Sequence, residues 1–516
     1  MRLLDAMAEQ PLPGGTESVE VRIPRLPVES ASKQYDLLVI GGGIYGVALA
    51  FEAARRDYRT LLLERDDFGG GTSWSSLRII HGGLRYLQTL DLRRFRESLA
   101  ERRWFLRHFP DLVRPLPCLM PLYRDGLKRP SLFRLALPCN DLLSLDRDWG
   151  VEARARLARG RVLSRWETVR LFPQVRRHGL AGGALWWDAV MLSSERVIMD
   201  LLGWACSCGA TALNYVEVER VLVEHGRVTG VEARDRAANR VLRYVASRVV
   251  NATGPRSKVF AEGIDRRVPE LFRPTLAFNL LIDRPPAAEV AVAVQPHPGG
   301  QIYFVLPWKG RILAGTFHAG LPKPVLEPTV AEDQVAQFLR DLNAAIPGLD
   351  LMPRHVIHVY AGLLPGRRAG SAEPATRAVI HDHGGHGGPQ GLYSISGVKF
   401  TTARRVAEDT LRAIFGRQLR RASNTTERPP PLLDLAAQTP LSTDTPCDAE
   451  AGESEALARR IVREEAVIRA EDFLLRRLDS TDMLLDRKKS DMLRRALAPL
   501  MARPTEFDRP DSLQAP

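Results

Sequence analysis

The chain has 516 residues, more than one ordinary core organises, so two or more domains are expected. Its 45% hydrophobic and 26% charged residues place it among globular chains, and no segment reaches the uncharged length a bilayer-spanning helix needs. The net charge of +12 comes from dispersed Lys and Arg; it is compatible with nucleic acid, an anionic membrane surface or an anionic substrate, and selects none of them.

Residues 1–34 are polar and rich in Pro and Gly, lack the apolar core of a signal peptide, and read as a mobile tail. Structure is expected to begin at "YDLLVIGGGIYGVALAFEAARRDYRTLLLER". Leu37 to Ile40 reads as a buried parallel strand, "GVALAFEAARR" as a helix and "TLLLER" as a second strand, together a βαβ unit. Next comes a Ser/Thr-rich run, "GGGTSWSS", and then "RIIHGGLRYLQ", whose paired glycines between His81 and Arg85 suit neither a buried helix nor an ordinary strand.

Residues 89–180 read as largely helical, with breaks at Pro110, Pro115, Pro117 and Pro138. From Val216 to Val250 short alternating runs predict a β-meander feeding a final strand. "GGQIYFVLPWKGRILAGTF" predicts a hairpin, and "GLYSISGVKFTTARRVAEDTLRAI" a strand, tight turn and helix. Residues 424–453 form a Pro-containing linker, followed by two amphipathic helices in "EALARRIVREEAVIRAEDFLLRRL" and "TDMLLDRKKSDMLRRALAPLM". Cys118, Cys139, Cys206, Cys208 and Cys447 form neither a disulfide framework nor a CxxC pair, consistent with a reducing, cytoplasmic setting.

Gly41, Gly43 and Gly46 make G-x-G-x-x-G between strand and helix. The first permits the tight turn, the second a close approach of a pyrophosphate, and the third close helix–strand packing, with the helix N-terminus facing the phosphates. Glu64 ends the second strand, where a carboxylate accepts from ribose hydroxyls. NAD and FAD both use this fingerprint. Ala252–Gly254 after "SRVVN", and a helix N-terminus aimed from "SGVKFTTAR" at the electron-rich edge of a flavin, favour FAD.

With "DLLVIGGGIYG", "GTSWSSLRIIHGGLRYL", "VVNATGP", "IYFVLPW", "AGTF", "PATR", "GVKFTTAR" and "VREEAVIRAEDFLLRR" in this order, the chain resembles the FAD-dependent, quinone-linked glycerol-3-phosphate dehydrogenase family, within the D-amino-acid-oxidase-like flavoproteins. The resemblance implies an α/β fold: a Rossmann-like FAD-binding domain (35–115, 181–258 and 379–423) interleaved with a mixed-sheet substrate domain (259–378). A helical insertion at 116–180, a helical C-terminal module at 454–504 and a tail at 505–516 complete it. It implies oxidation of a secondary alcohol on a phosphorylated three-carbon unit, with electrons passing to a quinone or oxygen. It assigns Gly41, Gly43, Ile44, Tyr45, Gly46, Glu64, Thr72, Ser73, Gly254, Gly397, Phe400 and Thr401 to FAD, and His81, Gly82 and Gly83 to the flavin's reactive face, where a side chain would occupy the reacting carbon's space. Arg85, Tyr86, Arg377, Lys399 and, from a shifted loop, Arg367 would face the substrate, Lys399 also contacting FAD. His81, Arg85 and Lys399 are the catalytic candidates, His81 being either the base or a backbone or cofactor hydrogen-bond partner. A peripheral membrane contact at the inner face of the cell membrane and a homodimer are compatible with the family.

The departures cluster at the substrate side. Leu364 in "AGLLPGRR" stands where the family has an arginine, with Arg367 and Arg368 close behind. Asn279 replaces a histidine, Val398 the second glycine of a Gly-Gly-Lys turn, and Ser193-Ser194 an acidic pair. These changes keep open a second expectation, a flavin oxidase or dehydrogenase for another small hydroxy acid, polyol or amine. A third, cofactor binding without catalysis, is disfavoured by the cations Arg85, Arg377 and Lys399. "HDHGGHGG" offers His381, His383 and His386, but nothing nearby in sequence adds the carboxylate or thiolate ligands that would close a site, so no metal is expected. Trp186 and Trp187 read as core, and net charge alone gives no case for nucleic acid.

Overall fold

The computed structural model describes residues 21–87, 90–124, 129–297, 299–423 and 457–477. The chain enters through α1 (Pro27–Ala31) and β1 (Gln34–Tyr35), followed by β2 (Leu37–Ile40), α2 (Ile44–Ala54) and β3 (Thr60–Leu63). β2 and β3 pair in parallel with every residue buried, which is why both read as unbroken apolar runs. Then come β4 (Ile79–Ile80), α3 (Leu84–Leu87), α4 (Leu92–His108), β5 (Val113–Tyr123), α5 (Pro130–Leu143), β6 (Arg161–Leu163) and α6 (Arg165–Leu171). β7 (Leu180–Met191), α7 (Ser194–Ser207) and β8 (Thr211–Leu213) lead into the expected meander, β9 (Val216–Glu224), β10 (Arg227–Asp235) and β11 (Arg240–Ala246), which feeds β12 (Val249–Asn251). After α8 (Ser257–Glu262) follow β13 (Pro274–Ile282), β14 (Ala291–Val294), β15 (Tyr303–Trp308), β16 (Arg311–Gly320), α9 (Glu332–Ala345) and β17 (Val356–Pro365). β18 (Val379–Asp382), β19 (Leu392–Ser396) and α10 (Ala403–Phe415) close the series.

Three sheets result. A six-stranded sheet, ordered β18-β19-β12-β2-β3-β8, is parallel except at β18–β19. α2 packs between α7 and α10 and is buried on nearly every side, so it is apolar all round. The meander and β1 form a four-stranded sheet whose apolar side chains share a core with β2 and β3. The third sheet runs β17-β13-β16-β15-β14-β5-β7-β4, with α9 packed on a core that includes Phe278, Leu280 and Tyr303. Strands distant in sequence therefore alternate between two large sheets, a mixed α/β architecture of the Rossmann-like kind.

Three expectations need correction. The segment 89–180 is not largely helical, because β5 pairs with β7 from Val113↔Met191 to Tyr123↔Leu180. Pro115, Pro117 and Pro121 share one parity, so their missing donors fall along one edge of the strand. The other edge serves β7, while β14 meets β5 only at Cys118 and Leu119. Pro138 lies inside α5 rather than ending it. Residues 21–34 are not a free tail, since Val21 and Ile23 are buried and Ile23 bridges Glu465.

The predicted helix over 455–478 breaks at Ala466, whose φ is 51°, and resumes as a π-helical stretch, Asp472–Arg477. Buried ions dock this segment: Arg476 and Arg477 donate to Asp67 at 2.7 and 2.8 Å, and Arg196 donates to Glu465 at 2.7 Å. The expected linker and second C-terminal helix lie outside the described residues.

Candidate active site

The two large sheets enclose a cavity of about 1850 Å³, well beyond the few hundred Å³ a single small ligand fills. One end is built by the βαβ unit. Gly41 adopts φ +107°, and a Cβ there would lie 2.6 Å from the Ala252 carbonyl oxygen. A Cβ on Gly46 would lie 1.8 Å from the Gly41 carbonyl oxygen, so this glycine serves helix–turn packing and does not line the cavity. Gly46→Ala is expected to cost about 1–3 kcal/mol in overpacking. Its melting temperature and its flavin absorbance relative to protein should both fall; unchanged values would show that the turn can yield.

Gly41, Gly43, Ile44, Tyr45, Glu64, Thr72, Ser73 and Gly254 all line this end. The Gly42 and Asp66 N–H groups donate to the two oxygens of Glu64 at 2.6 and 2.9 Å, and burial pushes the Glu64 carboxyl up. Ser73 Oγ accepts from the Ile44 N–H at 3.0 Å, and Thr72 donates to the Leu363 carbonyl at 3.2 Å. The first turn of α2, with N–H groups that lack helical acceptors, thus opens on a long cavity beside a buried carboxylate. These residues fit an extended dinucleotide, with the helix N-terminus for its phosphates and Glu64 for its ribose hydroxyls. Arg469, Leu475 and Arg476 also line the cavity, so the C-terminal segment contributes to its wall.

Beside the first turn of α2, Gly397, Lys399, Phe400 and Thr401 line the cavity from the turn between β19 and α10. The Tyr45 hydroxyl donates to the Lys399 carbonyl at 2.7 Å and accepts its N–H at 2.9 Å, tying α2 to this turn. Burial pushes the Tyr45 phenol up to about 12. A Cβ on Gly397 would lie 1.8 Å from the Tyr45 ring, which accounts for the glycine. Lys399 Nζ donates to the Tyr86 hydroxyl and sits 4.7 Å from the centroid of that ring. His81, Gly83, Arg85 and Tyr86 line the same region, and Arg85 has no hydrogen-bond or ion-pair partner among the described residues.

Other expected residues are placed differently. Gly82 is buried behind the cavity wall, where a Cβ would lie 2.0 Å from the Arg102 guanidinium. Its glycine therefore answers to a protein side chain, not to a reacting carbon. Arg377 is exposed and does not line the cavity. Arg367 does line it, but pairs with Glu373 at 3.2 Å. Asn279 lines the cavity and also braces it: its amide donates to the Ser75 carbonyl at 2.8 Å and accepts from the Thr316 hydroxyl at 2.8 Å. Leu364 lines the cavity from β17, paired with Thr275. Ser193 caps α7, and the next acid along, Glu195, holds buried Arg78 at 3.0 Å.

Sequence reasoning missed Asp188, Arg102, Phe304 and His318. Asp188 Oδ2 lies 3.6 Å from His81 Nδ1, and the carboxylate accepts from the Gly82 N–H at 2.6 Å, Arg102 at 2.8 Å and Trp186 Nε1 at 3.0 Å. Burial alone would raise the Asp188 carboxyl, but the adjoining His81 ring and the Arg102 charge hold it well below the usual carboxylate range. The register Ile80↔Ala189 between β4 and β7 makes this meeting, and no sequence signal announces it. The His81 ring packs 5.5 Å from that of Phe304. His318 lines the cavity with its Nδ1 buried and unpartnered; burial, then the charge of Arg85, lowers it to about 4, leaving a neutral imidazole.

The profile of FAD dependent oxidoreductases matches residues 36–409. Glycerol-3-phosphate dehydrogenase of Synechocystis sp. is 31% identical over 437 residues, covering 81% of this chain and 77% of the relative. Glycerol-3-phosphate dehydrogenase 1 of Mycobacterium bovis is 35% identical over 406 residues, covering 77% and 76%. The solved structure of glycerol-3-phosphate dehydrogenase from Bacillus halodurans complexed with FAD matches with a TM-score of 0.66 at 22% identity and covers 92% of both chains, a likeness of fold.

Proposed function

The chain belongs to the family of FAD dependent oxidoreductases, its cofactor is FAD, and we propose that its substrate is a small anionic secondary alcohol, glycerol 3-phosphate first of all. The observation that carries this reading is Arg85, a guanidinium without a partner among the described residues, in a cavity wall shared with His81 and the Lys399–Tyr86 pair. Bound FAD supplies the acceptor for a hydride from the alcohol carbon.

The chain's own residues supply the rest. Arg85 offers a planar fork of donors to the anionic end and orients the alcohol. His81 turns Nδ1 toward Asp188, so its Nε2 is left for the cavity, where it accepts the hydroxyl proton. Asp188, kept ionised by Arg102, orients the ring and stabilises the imidazolium that forms. Tyr86 and Lys399 close the wall beside Arg85. Anaerobic glycerol 3-phosphate is expected to bleach the bound flavin, and glycerol to do so far less; a flavin that stays oxidised would remove the proposal.

A second reading rests on Leu364 and on the Arg367–Glu373 pair, which leave fewer free cations than a phosphate dianion would use. It assigns a monoanionic hydroxy acid, a polyol or an amine. A substrate panel with an artificial acceptor separates the two, and turnover confined to glycerol 3-phosphate would eliminate the second.

The proposed electron acceptor is a quinone or oxygen, and the proposed location is the cytoplasm with a peripheral membrane contact. No helix among the described residues is long and apolar enough to cross a membrane. Support for surface contact comes from α5 and the loop after it, where Leu135, Leu142, Leu145 and Trp149 are all well exposed. Co-sedimentation with anionic vesicles is expected and should fall in Leu135→Ser/Leu142→Ser; equal binding by the variant would locate the contact elsewhere.

A further inference from the structure

Outside the cavity, the fold completes a constellation that the sequence leaves open. The carboxylate within "HDHGGHGG" itself, Asp382, accepts from the Gly385 N–H at 3.2 Å and is not grouped with the buried histidines, but the segment after α8 brings Asp265 to them across 118 residues. We infer that Asp265, His381 and His383 form a binding site for one divalent first-row transition ion of the zinc or cobalt kind.

One ligand-capable atom from each of the three residues lies within 4.8 Å of the others. All three side chains are buried, at 6%, 7% and 0% exposure. His381 Nε2 is buried without a hydrogen-bond partner among the described residues, although a buried polar atom ordinarily has one. His383 is already oriented: its Nδ1 lies 2.8 Å from Asp265 Oδ2 and its Nε2 2.9 Å from Ser394 Oγ. Ser394 in turn accepts from the Asn251 amide at 3.1 Å, so its own proton serves His383 Nε2, which places the imidazole proton on Nδ1 facing Asp265.

The backbone supports the same arrangement. The Arg267 N–H donates to Asp265 Oδ1 at 2.9 Å. Gly388 passes so close that a Cβ would lie 2.4 Å from Asp265 Oδ2, so the turn closes over the carboxylate. The His386 ring lies 4.6 Å from that of His381 on the exposed side, which gives an ion a way in.

An incoming ion replaces the Nδ1 proton of His383, which leaves to solvent. Asp265 Oδ2, His383 Nδ1 and His381 Nε2 then act as ligands, and water completes the coordination. Two imidazoles and one carboxylate suit zinc or cobalt better than calcium or magnesium, which favour all-oxygen sets. Ser394 plays the outer part that fixes a ligating ring. None of the three residues lines the large cavity. The ion would fasten the segment after α8 to the β18–β19 turn, at the end of β19 remote from Gly397.

The test uses the full-length, tag-free flavoprotein stripped with a chelator. Titration with Co²⁺ is expected to give visible ligand-field absorption saturating at one ion per chain, displaced by Zn²⁺, with a proton released on binding. Zn²⁺ should raise the melting temperature. His381→Ala, which removes an atom with no partner in the metal-free fold, should keep its flavin spectrum and turnover but bind the ion at least about tenfold more weakly. Asp265→Asn tests the carboxylate in the same way. Neither spectrum nor thermal shift in the unaltered protein, or binding by His381→Ala as tight as the parent's, would overturn the assignment.

Discussion

Arg85→Met is expected to lower kcat/KM for glycerol 3-phosphate about 30-fold or more, equivalent to a loss of at least about 2 kcal/mol. Methionine keeps an unbranched apolar stem but removes the charge and the fork of donors. Because Arg85 has no partner among the described residues, its loss strands no other charge there, and the flavin content should hold. Turnover of glycerol, which lacks the anion, should change little, so the preference for the phosphorylated substrate collapses. Arg85→Lys should fall between the two, because a point charge replaces a fork. Equal losses on both substrates would mean that Arg85 supports the cofactor or the fold, and no loss on either would place the anion elsewhere.

The second large effect is expected at the His81–Asp188 pair. Removing a general base lowers turnover by about 10²–10⁴, so His81→Gln should reduce kcat on that scale. Asp188→Asn should reduce kcat through misorientation of the ring. It should also lower stability by up to about 3–5 kcal/mol, since Arg102 would lose its anionic partner in a buried site. The melting temperature therefore separates the two variants. Combining them should lower kcat no further than His81→Gln alone, because the residues act as one unit. Losses that multiply would show that Asp188 works independently of His81. A His81→Gln enzyme with full turnover would move the base to another group, His318 being a neutral candidate in the same cavity.

The two ends of the cavity differ in how far the chain announced them. Gly41, Gly43, Gly46 and Glu64 fall within one βαβ unit, and each answers to a local demand: a turn, a close approach, a helix start or a strand end. The prolines of β5 show the limit of such reading. At 115 and 117 they suggest broken helix, yet their spacing, shared by Pro121, is compatible with a strand that uses its other edge for β7. Asn279 reads in sequence only as an altered substrate-side residue, while the fold shows its amide joining Ser75 to Thr316 in the cavity wall.

By itself the sequence determined the dinucleotide end, the βαβ unit, the meander and the "HGG" turn with Arg85 beside it. Glycine positions, apolar runs and turn residues report backbone conformation, which neighbours in the chain set. The tertiary structure alone decided that Gly82 makes room for Arg102, that His81 meets Asp188, and that Asp265 reaches His383. Those meetings depend on strand register and on which loops share one end of a sheet. Packing of the whole chain sets both, and no short segment carries a trace of its distant partner.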